Sequence, residues 1–352
     1  MGLPGIVAVG QALPPHFAGQ EELIAAFRRL WAKQHFNLAR LEQLHRAVEV
    51  GGRHLALPVE AYEKLGSFAE ANRAWGECAL ELGAQAIERA LEAAGLGPKD
   101  VDRLVFTTVT GIATPSTDAR LVNRLGLRPD VKRTPLFGLG CVAGAAGVAR
   151  TSDALLGFPG EVALLLSVEL CSLTLQRDDL SIPNVIASGL FGDGAAAVVL
   201  AGAARDLPGP RVVATRSVFY PDTESAMGWD VVEGGFRVVL SAAVPQLVRD
   251  HARADVDGFL AAQGLRRSDI RHWICHPGGP KVIDALEQAL ELPDGALLRT
   301  RRSLREVGNL SSASVLFVLG DTLREAGARP GDHGLLLAMG PGFCSELVLL
   351  RW

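Results

Sequence analysis

No two of the five cysteines, at positions 78, 141, 171, 275 and 344, form a Cys-x-x-Cys pair. An odd, scattered set argues against a disulfide framework and against a zinc site of the usual spacing. Such usage fits a reducing compartment, so a cytoplasmic protein without a bound metal is expected. Positive charge is not in excess: 35 Lys and Arg against 39 Asp and Glu leave a net charge of −4, and there is no basic field to hold nucleic acid. Long apolar runs are missing too. The stretch VALLLSVELCSLTL is too short for a bilayer and carries Glu169, so no membrane-spanning helix is expected. The opening MGLPGIVAVG lacks a basic region and reads as a first strand, not a signal peptide. It begins Met-Gly, but Ile6 stands where a myristoylation signal has Ser or Thr. What the chain does have is bulk. Its 352 residues, 48% of them apolar, can bury a large core as one unit or as two fused halves.

Two segments resemble each other. LEAAGLGPKDVDRLVFTTVTG (Leu91 to Gly111) and LAAQGLRRSDIRHWICHPGG (Leu260 to Gly279) share a helix end, a Gly-Leu stop, an Asp and then a strand. Gly95 matches Gly264 and Asp100 matches Asp269 at one offset, 169 residues, which also lays GCVAGAA over NLSSASV. EVALLLSVE resembles DHGLLLAMG, and FGDGAAAVVL resembles MGPGFCSELVL at a smaller offset. Helices alternating with short apolar strands indicate an α/β protein, and two copies in one order indicate a duplicated αβαβα arrangement with pseudo-twofold halves. The joint is expected in AGAARDLPGP, Ala201 to Pro210, giving halves of residues 1–205 and 206–352.

Cys141 sits in FGLGCVAGAAG. It can be read as a small buried hydrophobe. It can also be read as a nucleophile at a helix N-terminus, where exposed N–H groups lower a thiol's pKa. The pseudo-symmetry places its loop opposite the loop of Asn309, and His276, after the strand RHWIC, projects toward the same place. Singly, His276 is a turn residue before Pro277 and Asn309 a helix N-cap. Together they suit acyl chemistry. An imidazolium at His276 would stabilise a Cys141 thiolate, and the Asn309 amide with the histidine N–H would form an oxyanion hole for a thioester. Such a site can take an acyl group on sulfur and stabilise the enolate left when a malonyl thioester loses CO₂, which together make a decarboxylative Claisen condensation.

VKRTPLFGLGCVAGAAG, CHPGGPKVIDALE, GNLSSASVLFVL and the closing GPGF resemble the type III polyketide synthases, the chalcone synthase family within the thiolase fold. The resemblance runs from about residue 20 to the C-terminus. It implies a five-layered thiolase-like αβαβα fold and a homodimer that uses acyl-CoA and malonyl-CoA directly, with no metal, cofactor or carrier protein. By similarity Cys141 is the nucleophile, while His276 and Asn309 assist decarboxylation. Phe191 matches a gatekeeper phenylalanine. Arg29 and Lys33 match two of three basic residues directed at CoA phosphates, the third being Ala26, and Lys281 of HPGGPK is placed with them. Gly340, Pro341 and Gly342 belong to the cyclisation-pocket loop, and Ser311 to the pocket wall.

The departures from the plant pattern cluster around that pocket. Val238 replaces a second gatekeeper phenylalanine, Cys171 a threonine (Thr174 keeps another), Trp229 a glycine, and Thr114 the methionine that a partner subunit lends across the dimer. MGWDV with GFRVVLS resembles bacterial members that use fatty acyl-CoA starters, so a medium- or long-chain starter and an alkylpyrone or alkylresorcinol product are expected. Two rivals are a ketoacyl synthase III, which would need malonyl-ACP and stop after one condensation, and a non-catalytic partner protein of the same fold.

Overall fold

The computed structural model describes residues 2–32 and 37–352. Its main sheet has five strands from the first half, in the spatial order Lys132–Phe137, Arg103–Thr108, Val162–Leu170, Asp193–Ala201 and Gly5–Ala12. Four follow from the second half, Arg211–Phe219, Cys344–Arg351, His333–Gly340 and Ile270–Cys275. The two sets meet through one residue pair, Gly5 with Arg211, and otherwise form separate sheets on either side of two central helices, Ala143–Gly157 and Ser312–Glu325.

Side-chain alternation builds the layers. Val105 and Leu165 of the first sheet, and Leu336 and Val348 of the second, point inward to a core shared with Val148, Ala149, Val315 and Leu319 of the central helices. Their neighbours point the other way. Leu104, Phe106, Leu164 and Leu166 pack under the outer helix Phe68–Ala94. On the far side, Leu335, Leu337 and Leu347 pack under Val244–Ala261 and Pro280–Leu290. Every strand residue of VALLLSVEL is buried, as expected when helices cover both faces of a sheet. The result is the five-layered αβαβα sandwich. Lys132–Phe137 is the exception, a largely exposed edge strand that tolerates Pro135.

The internal repeat is visible in backbone detail. Gly95 and Gly264 both adopt left-handed conformations, with φ of 65° and 70°, after the outer helices. Asp100 then accepts the Gly97 N–H at 2.9 Å, and Asp269 accepts the Arg266 N–H at 2.7 Å. The central helices start at Ala143 and Ser312, so Cys141 and Leu310 stand at matching places before them.

The two helix starts pack very tightly. A Cβ added at Gly144 would lie 2.3 Å from the Ser312 carbonyl oxygen, whereas one at Gly157, at the other end of the same helix, would meet nothing within 4 Å. Gly144→Val should therefore push the helices apart and cost about 1–3 kcal/mol of stability or more. Gly157→Ala should be neutral or slightly stabilising. Urea-unfolding midpoints of the two variants check this, and a Gly144→Val midpoint equal to that of wild type would contradict the close approach.

Candidate active site

The edge strand Lys132–Phe137 turns sharply into the first central helix through Gly138 (φ 93°) and Gly140 (φ 53°). Gly140 also has no room for a side chain, because Pro341 would lie 2.7 Å from its Cβ. This turn sets Cys141 at the helix start, half-buried and opening onto a cavity. Its Sγ lies 3.8 Å from Ser311 Oγ. Ser311 is held at φ 49°, a strained value for a residue with a side chain, by its own N–H donating to Asn309 Oδ1 at 2.8 Å.

His276 follows Ile270–Cys275 and is 5% exposed. Its backbone N–H donates to Leu337 O, while its carbonyl accepts from Gly278 N. Both ring nitrogens lack a hydrogen-bond partner among the described residues, so the imidazole lies unpaired against the cavity wall. Asn309 Nδ2 donates to Gly278 O at 3.3 Å, which ties the amide to the loop after the histidine and leaves its second hydrogen free. Asn309 is not the helix cap that its place before LSSASVLFVL suggests: Ser311 holds that position, and no side chain caps the helix. Cys141, His276, Asn309 and Ser311 all line one cavity.

Electrostatics of the pair are set by burial, which pushes the Cys141 thiol up to about 12 and His276 down to about 3. The Ser311 contact lowers the thiol and the field of Glu169 raises it further. Burial thus favours a thiol beside a neutral imidazole, and no hydrogen bond joins them. Glu169 is a polar residue that the sequence reading used only to exclude a membrane helix. It accepts hydrogen bonds from Val109 N–H at 3.1 Å, from Thr110 Oγ1 at 2.9 Å and from the Ser312 hydroxyl, and burial raises its pKa. An acid inside a fully apolar strand was the available signal that it belongs to the site's foundation.

The substrate-pocket residues separate into two groups. Phe191, Trp229 and Val238 line the Cys141 cavity, but Cys171 and Thr174 line a second cavity, with Phe27, Leu30, Arg53 and Tyr62. Phe191, Trp229 and Val238 border both. Trp229 and Val238 face each other across the hairpin of Met227–Val232 and Gly235–Leu240, and the Trp229 ring centroid lies 6.5 Å from that of Phe191. The single pocket expected from the sequence is therefore two chambers with an aromatic partition. Pro341 lines the Cys141 chamber, and a Cβ at Gly340 would meet Val142 N at 2.6 Å, so the Gly340–Gly342 loop seats on the nucleophile's turn. Thr114 is exposed and borders neither chamber. Arg29 and Lys281 are exposed, Ala26 lines the second chamber, and Lys33 lies outside the described residues. Among the described residues no cluster of three His, Cys, Asp or Glu could hold a metal ion, and no helix is long and apolar enough to cross a membrane.

Comparison with known proteins decides the family. Residues 1–204 match the N-terminal domain, and residues 211–352 the C-terminal domain, of chalcone and stilbene synthases. The chain belongs to the chalcone and stilbene synthase family. It is 55% identical to a 1,3,6,8-tetrahydroxynaphthalene synthase of Streptomyces peucetius subsp. caesius, over 99% of this chain and 93% of that one. It is 36% identical to a 3,5-dihydroxyphenylacetyl-CoA synthase of Streptomyces toyocaensis, over 99% and 90%. The crystal structure of 1,3,6,8-tetrahydroxynaphthalene synthase from Streptomyces coelicolor A3(2), a bacterial type III polyketide synthase, superposes with a TM-score of 0.94 at 32% identity, covering 99% of both chains. This type III polyketide synthase is thus a condensing acyltransferase of the thiolase-like fold, which sets aside the ketoacyl synthase III and non-catalytic readings.

Alkylation of Cys141 tests whether His276 assists formation of its thiolate. In His276→Gln, iodoacetamide should modify Cys141 at least about tenfold more slowly at pH 7, one pKa unit being a factor of ten in thiolate. The rise of that rate with pH should move upward. An unchanged rate and profile would remove His276 from this role.

Proposed function

We propose that Cys141, His276 and Asn309 carry out iterative decarboxylative condensation of malonyl-CoA. Cys141 Sγ attacks the starter thioester, its proton passes to the neutral His276 imidazole, and CoA leaves as the thiol. The next malonyl-CoA then loses CO₂. The enolate oxygen is held by the His276 N–H and the free Asn309 Nδ2 hydrogen, and its carbon attacks the Cys141 thioester carbonyl: the C–C bond forms, the C–S bond breaks, and Cys141 leaves as a thiolate. The extended acyl-CoA then transfers back to Cys141 with release of CoA for the next round. The buried chamber strengthens these hydrogen bonds, because water does not compete. No residue of this scheme requires a metal or cofactor. Arg29 and Lys281, both exposed, would hold the CoA phosphates, with Lys33 beside them in sequence.

The starter we favour is malonyl-CoA itself, with 1,3,6,8-tetrahydroxynaphthalene as product. Its ten-carbon skeleton requires five malonyl units and the loss of a CO₂ from each, the starter included. The observation that carries this reading is the partition. Phe191 and Trp229 stand between the Cys141 chamber and the second one, which suits a short starter, and the relative at 55% identity bears that product's name. The second reading is a fatty acyl starter leading to an alkylpyrone or alkylresorcinol. The apolar chamber lined by Leu23, Phe27 and Leu55 favours it, since it would take the chain once the partition opens. A cytoplasmic homodimer fits either reading: exposed Phe137 ends the edge strand Lys132–Phe137, and exposed Ile112 lies two residues before Thr114, surface that a partner subunit would cover.

Mass spectrometry of products made from malonyl-CoA alone tests the first reading. Tetrahydroxynaphthalene, or its oxidised quinone, should form and should vanish in Cys141→Ala. Products that appear only with long acyl-CoA would overturn it in favour of the second. Trp229→Gly should join the chambers and raise the use of octanoyl- or longer acyl-CoA relative to malonyl-CoA by about tenfold, roughly what one or two buried methylenes discriminate. An unchanged starter preference would show that the partition does not select the starter.

A further inference from the structure

The helix Ile182–Leu190 runs directly into Phe191, and its last carbonyls have no intrahelical donor. Buried polar side chains from residues 20–53 supply the donors. Gln20 Nε2 donates to Gly189 O at 3.2 Å, and His45 Nε2 adds a bond at 2.9 Å to Val185 O, which lies one turn inside the helix. Arg53 Nη1 donates to Ser188 O at 2.6 Å and to Phe191 O at 2.9 Å. From the other side, Asn309 N–H donates to Leu190 O, and Gly192 N–H donates to Asn309 O, both at 2.9 Å. The peptide of Phe191 is therefore clamped between Arg53 and Asn309.

Arg53 is 2% exposed, and space is kept for it. Its alkyl stem passes Gly308 and Gly192, where an added Cβ would lie 3.2 Å and 3.5 Å from it. Burial lowers its pKa to about 10, while the charge of Asp193 acts in the opposite sense. A buried guanidinium is costly to keep; one nitrogen, Nη1, serves both carbonyls, and the Nζ of a lysine, one bond shorter, ends short of that position. The guanidinium borders the second chamber and not the Cys141 chamber, so it does not touch the reacting atoms.

We propose that Arg53 is a positioning residue: it holds Phe191 in the partition and, through the Leu190–Gly192 segment, holds Asn309 at the oxyanion position. This rests on the roles proposed for Cys141 and Asn309, and the test separates the two. Loss of product in Cys141→Ala addresses those roles, and the Arg53 variants address the clamp.

The experiment is a double-mutant cycle of Arg53→Lys and Phe191→Leu, assayed with malonyl-CoA. Arg53→Lys keeps the charge opposite Asp193 and gives up the reach of Nη1 to the two carbonyls. It should lower kcat about tenfold, a modest displacement of a catalytic amide being enough. It should also increase the share of short, prematurely released products. KM for malonyl-CoA and the rate of Cys141 alkylation at pH 7 should stay within about twofold, since neither depends on the clamp. In the Phe191→Leu background the added effect of Arg53→Lys on product distribution should disappear. Arg53→Gln, which keeps a donor without the charge, should shift kcat and products in the same direction. Wild-type kcat and products in both Arg53 variants would overturn the proposal. So would effects that simply multiply in the two backgrounds, or a parallel loss of Cys141 alkylation, which would mark Arg53 as a general stabiliser.

Discussion

The close approach of the two central helices at their N-termini governs the rest of the molecule. Gly144 lies against the Ser312 carbonyl with no space for a side chain, so the turns that precede both helices are drawn together. One turn carries Cys141, the other Asn309 and Ser311. Neither half of the duplicated fold holds the constellation alone: the first supplies Cys141, the second His276 and Asn309. Duplication has placed equivalent helix starts face to face, where their exposed N–H groups bias the space between them toward negative charge. A thiolate, an oxyanion and an enolate oxygen are the species the proposed chemistry would create there.

Burial opposes that bias. It pushes Cys141 up and His276 down, and buried Glu169 adds a further field against a thiolate. The balance suits a site that handles one substrate type repeatedly. In the proposed chemistry a neutral pair waits in an apolar chamber and one proton moves between its members, leaving the net charge of the pair unchanged. The unpaired ring nitrogens of His276 fit this picture, because an imidazole already engaged by a carboxylate would be less free to exchange a proton with sulfur and to meet an oxyanion. Beyond this centre, the partition of Phe191, Trp229 and Val238 turns one expected pocket into two chambers, and the carbonyls that anchor it are held by side chains from the first sixty residues.

The fold was legible because its signals are local and repeated. Gly95 and Gly264, Asp100 and Asp269 occupy matching turns, and a two-residue strand alternation with helices covering both faces produces near-continuous apolar runs such as VALLLSVEL. The convergence of Cys141, His276 and Asn309 was also legible, because the repeat sets which loops face each other. The substrate pocket was read less well. Cys171 and Thr174 were placed with Trp229 and Val238 in one pocket; they do share the second chamber with them, but they do not line the chamber of Cys141. Which side of an aromatic ring a residue occupies depends on rotamers and on the hairpin's register with the helix before Phe191, and no periodicity reports either. Glu169 and Arg53 were passed over for a related reason. A charge in an apolar stretch shows that something must compensate it, but the compensating groups come from distant segments.

The sequence by itself determined the α/β class, the duplication, the family and the identity of the central thiol, histidine and asparagine, since each is written in spacing or in short motifs. Tertiary structure alone decided that both titrating groups lean toward neutrality, that the cavity is divided, and that Phe191 is held from two sides. Those properties depend on how much water each group loses and on which carbonyls lack a helical donor, and both are set only when segments far apart in the chain pack together.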